Sequence, residues 1–300
     1  MASLAVQAET GARLLPPIRP EYENATLATG VVGDAERRLP LIKRLLAITW
    51  LRRLLLLVGL GLVWQAYASW VGNTLIFPTL VETMRALWDA AVNGPLLARV
   101  ATTLRVLVIG YAAGVALAAV FTTFAVSTRI GTDLLATLTT MFNPLPAIAL
   151  LPLALLWFGL GTPSLVFVIV HSVLWAVALN TLSGFLSVPD SQRMAGQNYG
   201  LRGVRYVVYI LIPAAFPSIL TGLKIGWAFA WRTLIASELV FGVSSSSGGI
   251  GWFIYENRNE LQTDYVFAGL MTVILIGLFV EGVIFRTIER RTVLQWGMQR

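Results

Sequence analysis

Five ionisable side chains and one amide stand within or at the ends of long apolar stretches of this chain: His171, Lys224, Arg232, Glu238, Glu281 and Asn143. A charge inside a bilayer-length apolar segment is costly, so such residues are read first as functional and then as paired. The chemistry open to them is narrow. A single His and no Cys exclude disulfides and thiolate metal sites and leave no nucleophile with a base beside it. No catalytic residue and no metal site is assigned. The phosphate-cradling G-x-x-x-x-G-K followed by Ser or Thr is absent, so the chain does not split a nucleotide by the usual route. What remains is ion pairing and contact with a polar solute. Lys224 and Glu281 lie at comparable depth if the fifth and sixth apolar segments run antiparallel, and a structural ion pair is the first reading of both. Arg232 either pairs with nearby Glu238 or offers positive potential to an arriving anion. His171 is a pathway residue or a neutral, hydrogen-bonded packing residue. Asn143, beside Pro144 and Pro146, breaks the third segment at mid-membrane. Unwound backbone at that depth is tolerated where it lines a cavity or is buried in protein, which makes Asn143 a pathway candidate; a kink that merely fits neighbouring helices is the other reading.

The elements that must position these residues are membrane helices. Hydrophobic residues make up 57% of the chain and charged residues 12%, with a mean hydropathy of +0.75; soluble domains carry about 25% charged residues. Six segments are long and apolar enough to cross the hydrocarbon core: Leu54–Val71, Leu104–Ser127, Leu134–Phe158, Ser164–Ser187, Val207–Ala236 and Val266–Phe285. Their apolar runs are continuous, whereas a membrane barrel alternates polarity along short strands. The expected fold class is all-α and polytopic, with about six transmembrane helices. Gly110 and Gly114, in G-Y-A-A-G, have the small-xxx-small spacing that lets membrane helices approach closely.

Basic residues set the orientation. With the amino terminus inside, the inner segments hold Arg13, Arg19, Arg37, Arg38, Lys43, Arg44, Arg52 and Arg53, then Arg129, then Arg193, Arg202 and Arg205, then Arg286, Arg290, Arg291 and Arg300. The outer loops hold little beyond Arg85 and Arg258, so both termini are expected in the cytoplasm. The net charge of +7 is explained by basic residues beside anionic lipid and implies no nucleic-acid partner. Residues 1–44 mix prolines with acidic residues and read as a loosely ordered cytoplasmic arm, 45–290 as the transmembrane domain, and 291–300 as a cytoplasmic tail.

Two outer loops have character of their own. In Phe77–Ala91, Leu80, Met84, Leu87 and Ala91 recur at helical spacing opposite Glu82, Arg85 and Asp89, which predicts an amphipathic helix along the membrane surface. Ser237–Asp264 contains a Ser/Gly tract expected to flex, and Trp252, Phe253 and Tyr255 expected at the interfacial aromatic belt. It is a gate or an ordinary connector.

The polar insert between the fourth and fifth segments is the most specific feature. Pro189 bars continuation of the preceding helix, and Asp190 or Ser191 can cap a new one. Gly200 and Gly203 supply positive-φ positions at its end. A short surface helix at about 190–203 is expected, followed by a fifth span whose first turns are kinked by Pro213 and Pro217.

This insert resembles the EAA loop of ATP-binding-cassette importer permeases: E-A-A, three residues, Gly, nine residues, I-x-L-P. Ala195, Gly200, Ile210 and Pro213 fall on that frame with Leu201 and Arg202 inside it, while Met194 replaces the Glu, Gly196 the second Ala and Ile212 the Leu. Flanking stretches at Asn143–Gly161, Pro213–Gly226 and Trp231–Leu239 are similar to permeases of the nitrate, sulfonate and taurine type. The resemblance covers roughly residues 50 to 290. It implies the type I importer permease fold, with Met194, Ala195, Gly196, Gly200, Leu201, Arg202, Ile210 and Pro213 coupling the chain to an ATPase. It also implies a second copy of the chain, two ATPase subunits that hold ATP and Mg, a separate solute-binding protein, and a place in the bacterial inner membrane. This chain itself needs no cofactor. An ion-coupled secondary transporter is the alternative. It would show carboxylates inside its spans, where Glu281 is the only clear one, and an inverted repeat, which is not evident.

Overall fold

The computed structural model describes residues 48–241 and 248–295, in two units, Met1–Val58 and Gly59–Arg300. The cytoplasmic arm expected over residues 1–44 lies outside the described residues. Of the first unit the described part is the opening of helix α1 (Thr49–Val71), with Leu54, Leu55, Leu56 and Leu57 exposed. Exposed leucines in a row are the surface of a helix that faces lipid.

The second unit continues α1 and adds α2 (Leu80–Val92), α3 (Leu96–Ser127), α4 (Arg129–Phe142) and, after a 3-10 turn at Ala147–Leu150, α5 (Leu151–Phe158). Then come α6 (Thr162–Leu186), α7 (Asp190–Asn198), α8 (Gly203–Tyr206) and α9 (Ile212–Phe241), with π turns at Val207–Leu211 between the last two. The chain closes with α10 (Ile250–Asn259), α11 (Thr263–Phe279) and alternating π and α turns to Leu294. No strand occurs among the described residues. Five helices are long and apolar enough to cross a bilayer, or six if the pair Arg129–Phe142 and Ala147–Phe158 is one span. The chain is an all-α, polytopic membrane protein.

Helix α6 is the axis of the second unit. Most of its inward residues, among them Val168, Ile169, Val173 and Ala178, are fully buried, and it packs along both α3 and α9. Against α3 the approach depends on the small-residue pair. A Cβ at Gly110 would stand 2.8 Å from Cβ of Ile169, and one at Gly114 2.7 Å from Cβ of Val173. Both obstacles are branch points fixed to the α6 backbone, so the helices pack only because these positions lack a side chain. Tyr111, between them, donates from its hydroxyl to the Leu223 carbonyl of α9 at 2.9 Å, which joins the third member of the packed trio.

The structure moves several sequence boundaries. The second span starts at Leu96 rather than Leu104, so Arg99 and Arg105 belong to α3. The last span stays helical to Val293 rather than ending at Phe285, so the helix reaches into the tail expected from 291; residues 296–300 lie outside the described residues. The amphipathic helix forms, with Thr79 and Glu82 closing a capping box at its start. Its inward face centres on buried Thr83, Ala86 and Ala90, with Leu87 and Ala91 of the expected stripe packed beside them, while Met84 of that stripe is exposed, as is Trp88. Small residues let α2 lie close to α11. Tyr265 of α11 donates to Asp89 at 2.7 Å and Asn93 donates to it at 2.9 Å. These two bonds hold the Asp89 carboxyl below its ordinary pKa, the Asn93 bond contributing more.

Replacing Gly110 or Gly114 with Val is expected to lower the stability of the packed trio by about 1–3 kcal/mol, because branched carbons on both helices then overlap. Gly59→Ala, where an added Cβ meets nothing within 4 Å, is expected to be neutral or slightly stabilising. Thermal unfolding of the purified chain in lipid nanodiscs, followed by circular dichroism, checks the contrast.

Candidate functional site

A cleft of about 350 Å³ opens between the α4–α5 corner, α6 and α9. The corner exists because Pro144 and Pro146 have no amide hydrogen to continue α4. The chain bends by 87° there, and Asn143 still donates to Thr139 while Ala149 donates to Pro146, so the reversal keeps part of its backbone bonded. Each wall is one helical face. From α9 it is Phe229, Arg232, Thr233 and Ala236, spaced as neighbours on adjacent turns; from α6 it is His171, Ser172 and Trp175.

Three of the four predicted pathway residues, Asn143, His171 and Arg232, therefore meet in one cavity. Arg232 is exposed to it, with Nε donating to the Ala228 carbonyl at 3.1 Å and the guanidinium 5.5 Å from the Phe229 ring centroid. It has no acidic partner among the described residues. His171 stands edge-on to Phe142 and Trp175, and both its ring nitrogens are buried without a hydrogen-bond partner. The expectation of a hydrogen-bonded packing histidine is corrected: it packs, but unbonded. Trp175 was not singled out from sequence, although it lies one turn from His171. Its residue surface is 7% exposed, and its Nε1–H has no partner.

The fourth pathway candidate is misplaced. Glu238 is 1% exposed and lies away from the cleft. It does not pair with Arg232, because positions six apart on a helix point to different sides. Its carboxylate instead accepts from Thr103 Oγ1 at 3.0 and 3.1 Å and from the Gly251 amide at 2.8 Å, while Thr103 Oγ1 accepts from the Ile250 amide at 2.8 Å. Glu238 of α9 and Thr103 of α3 thus cap α10, whose own N-cap, Gly249, has no side chain to do so. Arg99 adds a bond from Nη1 to the Gly248 carbonyl at 3.0 Å and an ion pair to Glu256 at 3.4 Å. The outer segment read as gate or connector is in its second half a docked helix. Phe253, expected at the interface, is buried against Leu96 and Ala90. The Ser/Gly tract up to position 247 lies outside the described residues.

The Lys224–Glu281 pair is also corrected. Lys224 Nζ meets Glu289 at 2.8 Å, eight residues beyond Glu281, because the last helix continues through the expected boundary; Glu281 is exposed.

At the other end of α6 the surface helix α7 takes the expected place. Pro189 is its N-cap without a side-chain bond, so neither Asp190 nor Ser191 plays the expected part. Arg193 secures that end instead, its Nε donating to Val188 O at 3.0 Å and Nη2 to Phe185 O at 2.5 Å. The far end is a Schellman turn. Leu201 donates to Gly196 at 3.1 Å and Gly200 to Gln197 at 2.9 Å, with Gly200 at φ +74°. Gly196 is buried where a Cβ would stand 2.8 Å from Ile210, which gives a steric reason for Gly there. Met194 and Tyr199 project outward with Val204 and Tyr209, at 56%, 86%, 67% and 67% exposure. Pro213 follows the π turns at Val207–Leu211, and Pro217 sits within α9, where a kink was expected.

Residues 110–293 match the model of the family described as binding-protein-dependent transport system inner membrane component. The chain belongs to this family. The permease is 29% identical over 237 residues to a protein named as an aliphatic sulfonates transport permease of Escherichia coli K12, covering 77% of this chain and 88% of that one. It is 33% identical over 151 residues to the taurine transport system permease of the same organism, covering 50% and 53%. To the nitrate import permease of Synechocystis it is 27% identical over 228 residues, covering 73% and 81%. The permease is thus of the sulfonate, taurine and nitrate type. Its polytopic helical fold and its role as a transport subunit follow from the family.

Glu238→Ala removes the acceptor of a buried amide and of a buried hydroxyl, and is expected to cost the permease about 1–3 kcal/mol. Glu238→Gln keeps one acceptor and is expected to lose less. Hydrogen exchange of the Ile250 and Gly251 amides should quicken in the Ala variant and stay slow at Gly59–Val71.

Proposed function

We propose that this permease is the membrane-spanning subunit of an ATP-driven importer for a small anion such as nitrate, a sulfonate or taurine. The single observation that carries the reading is the α7 unit: a short polar helix on the surface, fixed at both ends, with exposed Met194 and Tyr199 beside a buried Gly196–Ile210 contact. An exposed apolar pair on an otherwise polar helix is suited to a protein partner. The chain has no phosphate loop, so energy must enter through that partner.

In this reading two copies of the permease pair in the bacterial inner membrane with both termini cytoplasmic. Each docks one ATPase subunit on α7 through Met194, Ala195, Leu201 and Arg202. The ATPases hold ATP and Mg, and a solute-binding protein delivers the anion at the outer face. Closure of the ATPases draws the two α7 helices together. Arg193 carries that displacement into the end of α6, and Ile210 carries it into α9. Since α6 and α9 form two walls of the cleft, a shift between them changes access to it, which is the alternating step. The names of the relatives and the exposed guanidinium of Arg232, without an acidic partner among the described residues, support an anionic solute.

Gly200→Val is expected to abolish uptake and permease-stimulated ATP hydrolysis. An added Cβ meets no neighbour within 4 Å, but the left-handed backbone costs a non-Gly residue roughly 1–2 kcal/mol, and a β-branched one more. The strain falls on the docking turn alone, so membrane insertion and helicity should be unchanged, and Gly200→Ala should retain part of the activity. Uptake of labelled anion in cells, with ATPase rates in proteoliposomes, tests this; undiminished transport by the Val variant rejects the coupling role.

A further inference from the structure

Helix α4 is amphipathic within a membrane protein, and its circumference divides into three. Gly131, Leu135 and Thr139 are buried, with Leu138 and Phe142 packed beside them. Ile130, Leu134 and Met141 form a narrow exposed apolar strip. The remaining arc, about 120° wide at the helical repeat, holds Arg129, Asp133, Ala136, Thr137, Thr140 and Asn143, all exposed and none large and apolar. The exposed surface of α11 has the opposite composition, with Leu270, Ile274, Leu275, Leu278 and Phe279. Lipid favours bulky apolar side chains, so α11 is shaped for lipid and the polar arc of α4 is not.

The arc leads from the end of one span to the cleft. Thr132 Oγ1 donates to the Ala125 carbonyl at 2.6 Å across the short turn from α3, and α4 doubles back from there. Thr140 stands 11 residues beyond Arg129, about 17 Å at the helical rise. Asn143 and Pro144, next along the same side, line the cleft. Thr137 and Thr140 donate to the Asp133 and Ala136 carbonyls at 2.8 Å each. A hydroxyl rotates freely about its bond, so both can turn to a passing polar solute. Arg129 and Asp133 stand at the mouth with opposite charges, and no ionisable group follows on the arc as far as Asn143.

We infer that this arc of α4 is a wall of the solute's exit, a watered track from the cleft to the cytoplasm that opens when the importer faces inward. The inference rests on the importer reading and adds the route. Arg232 in the cleft offers an anion a full charge, whereas the track beyond it offers hydroxyls alone. A polar surface without a fixed cation keeps an anion solvated and does not hold it, which suits departure.

The chain has no cysteine, so a thiol placed on α4 is the sole thiol in it. Thr137→Cys, Thr140→Cys and Met141→Cys are compared in inside-out vesicles that carry the whole importer and enclose binding protein and labelled anion. The cytoplasmic face then meets ATP and a membrane-impermeant, anionic methanethiosulfonate. Thr140 and Met141 are neighbours at one depth but about 100° apart around the helix, so depth alone predicts equal reaction. Both Thr variants are expected to react at least about 10-fold faster than Met141→Cys, since a charged reagent is excluded from hydrocarbon. Labelling of either Thr variant should remove most of the ATP-driven anion release that the same variant shows before labelling. Equal rates at Thr140→Cys and Met141→Cys overturn the exit, and so does labelling of both Thr variants that leaves release intact. A disulfide between the Thr140→Cys positions of two copies, without labelling, gives the arc to packing between permeases and likewise overturns it. Wild-type vesicles separate the two levels. Anion release by the wild type with none of the expected labelling discards the exit and leaves the importer standing, and no release of any anion discards the importer reading itself.

Discussion

Backbone groups that leave a helix inside an apolar slab find no water, and they must be bonded by the protein or lie against a cavity. This constraint shapes the two irregular places in the permease. At the Asn143–Ala147 corner two prolines remove amide hydrogens, which lessens the number of orphan donors, and the remaining backbone borders the cleft. At the start of α10 the free amides of a helix N-terminus are met by Glu238 and Thr103, side chains from two other helices. A buried carboxylate that looks functional by its rarity is here the cap of a helix that cannot cap itself.

The same economy of space links the cytoplasmic surface to the cleft. Gly196 lets α7 rest on Ile210, and from Gly203 to Val240 the helix continues without interruption beyond its π turns. Ile210 and Arg232 are 22 residues apart on it, or about 33 Å at the helical rise. One stiff element thus bears both the contact with the surface helix α7 and a wall of the cleft. Helix α6, tied to α7 by Arg193 and wedged against α3 at Gly110 and Gly114, supplies the opposing wall.

Much of this was legible in sequence for a plain reason. Long apolar runs, basic flanks, proline breaks and a Gly-ended polar insert each state a local rule, and local rules survive folding. Asn143, His171 and Arg232 were found because a polar group in an apolar run is conspicuous by itself. Trp175 was not, since an indole is unremarkable in such a run, and its place in the cleft wall comes from packing. Glu238 and Lys224 were found but given the wrong partners. Pairing depends on which faces of which helices meet, and a guess from nearness in sequence or from assumed depth misses by a face in one case and by two turns in the other.

The chain alone determined that it is helical and membrane-embedded, and that a short polar helix stands between Pro189 and Gly200. These follow from transfer free energy and backbone geometry, which act on each segment separately. Only the tertiary structure decided that a corner and two helical faces enclose one cleft, that Glu238 caps a distant helix, and that α2 buries Thr83, Ala86 and Ala90 most deeply. Those outcomes depend on the relative rotation and depth of helices. Steric fit at a few small residues sets these, and no single segment contains that information.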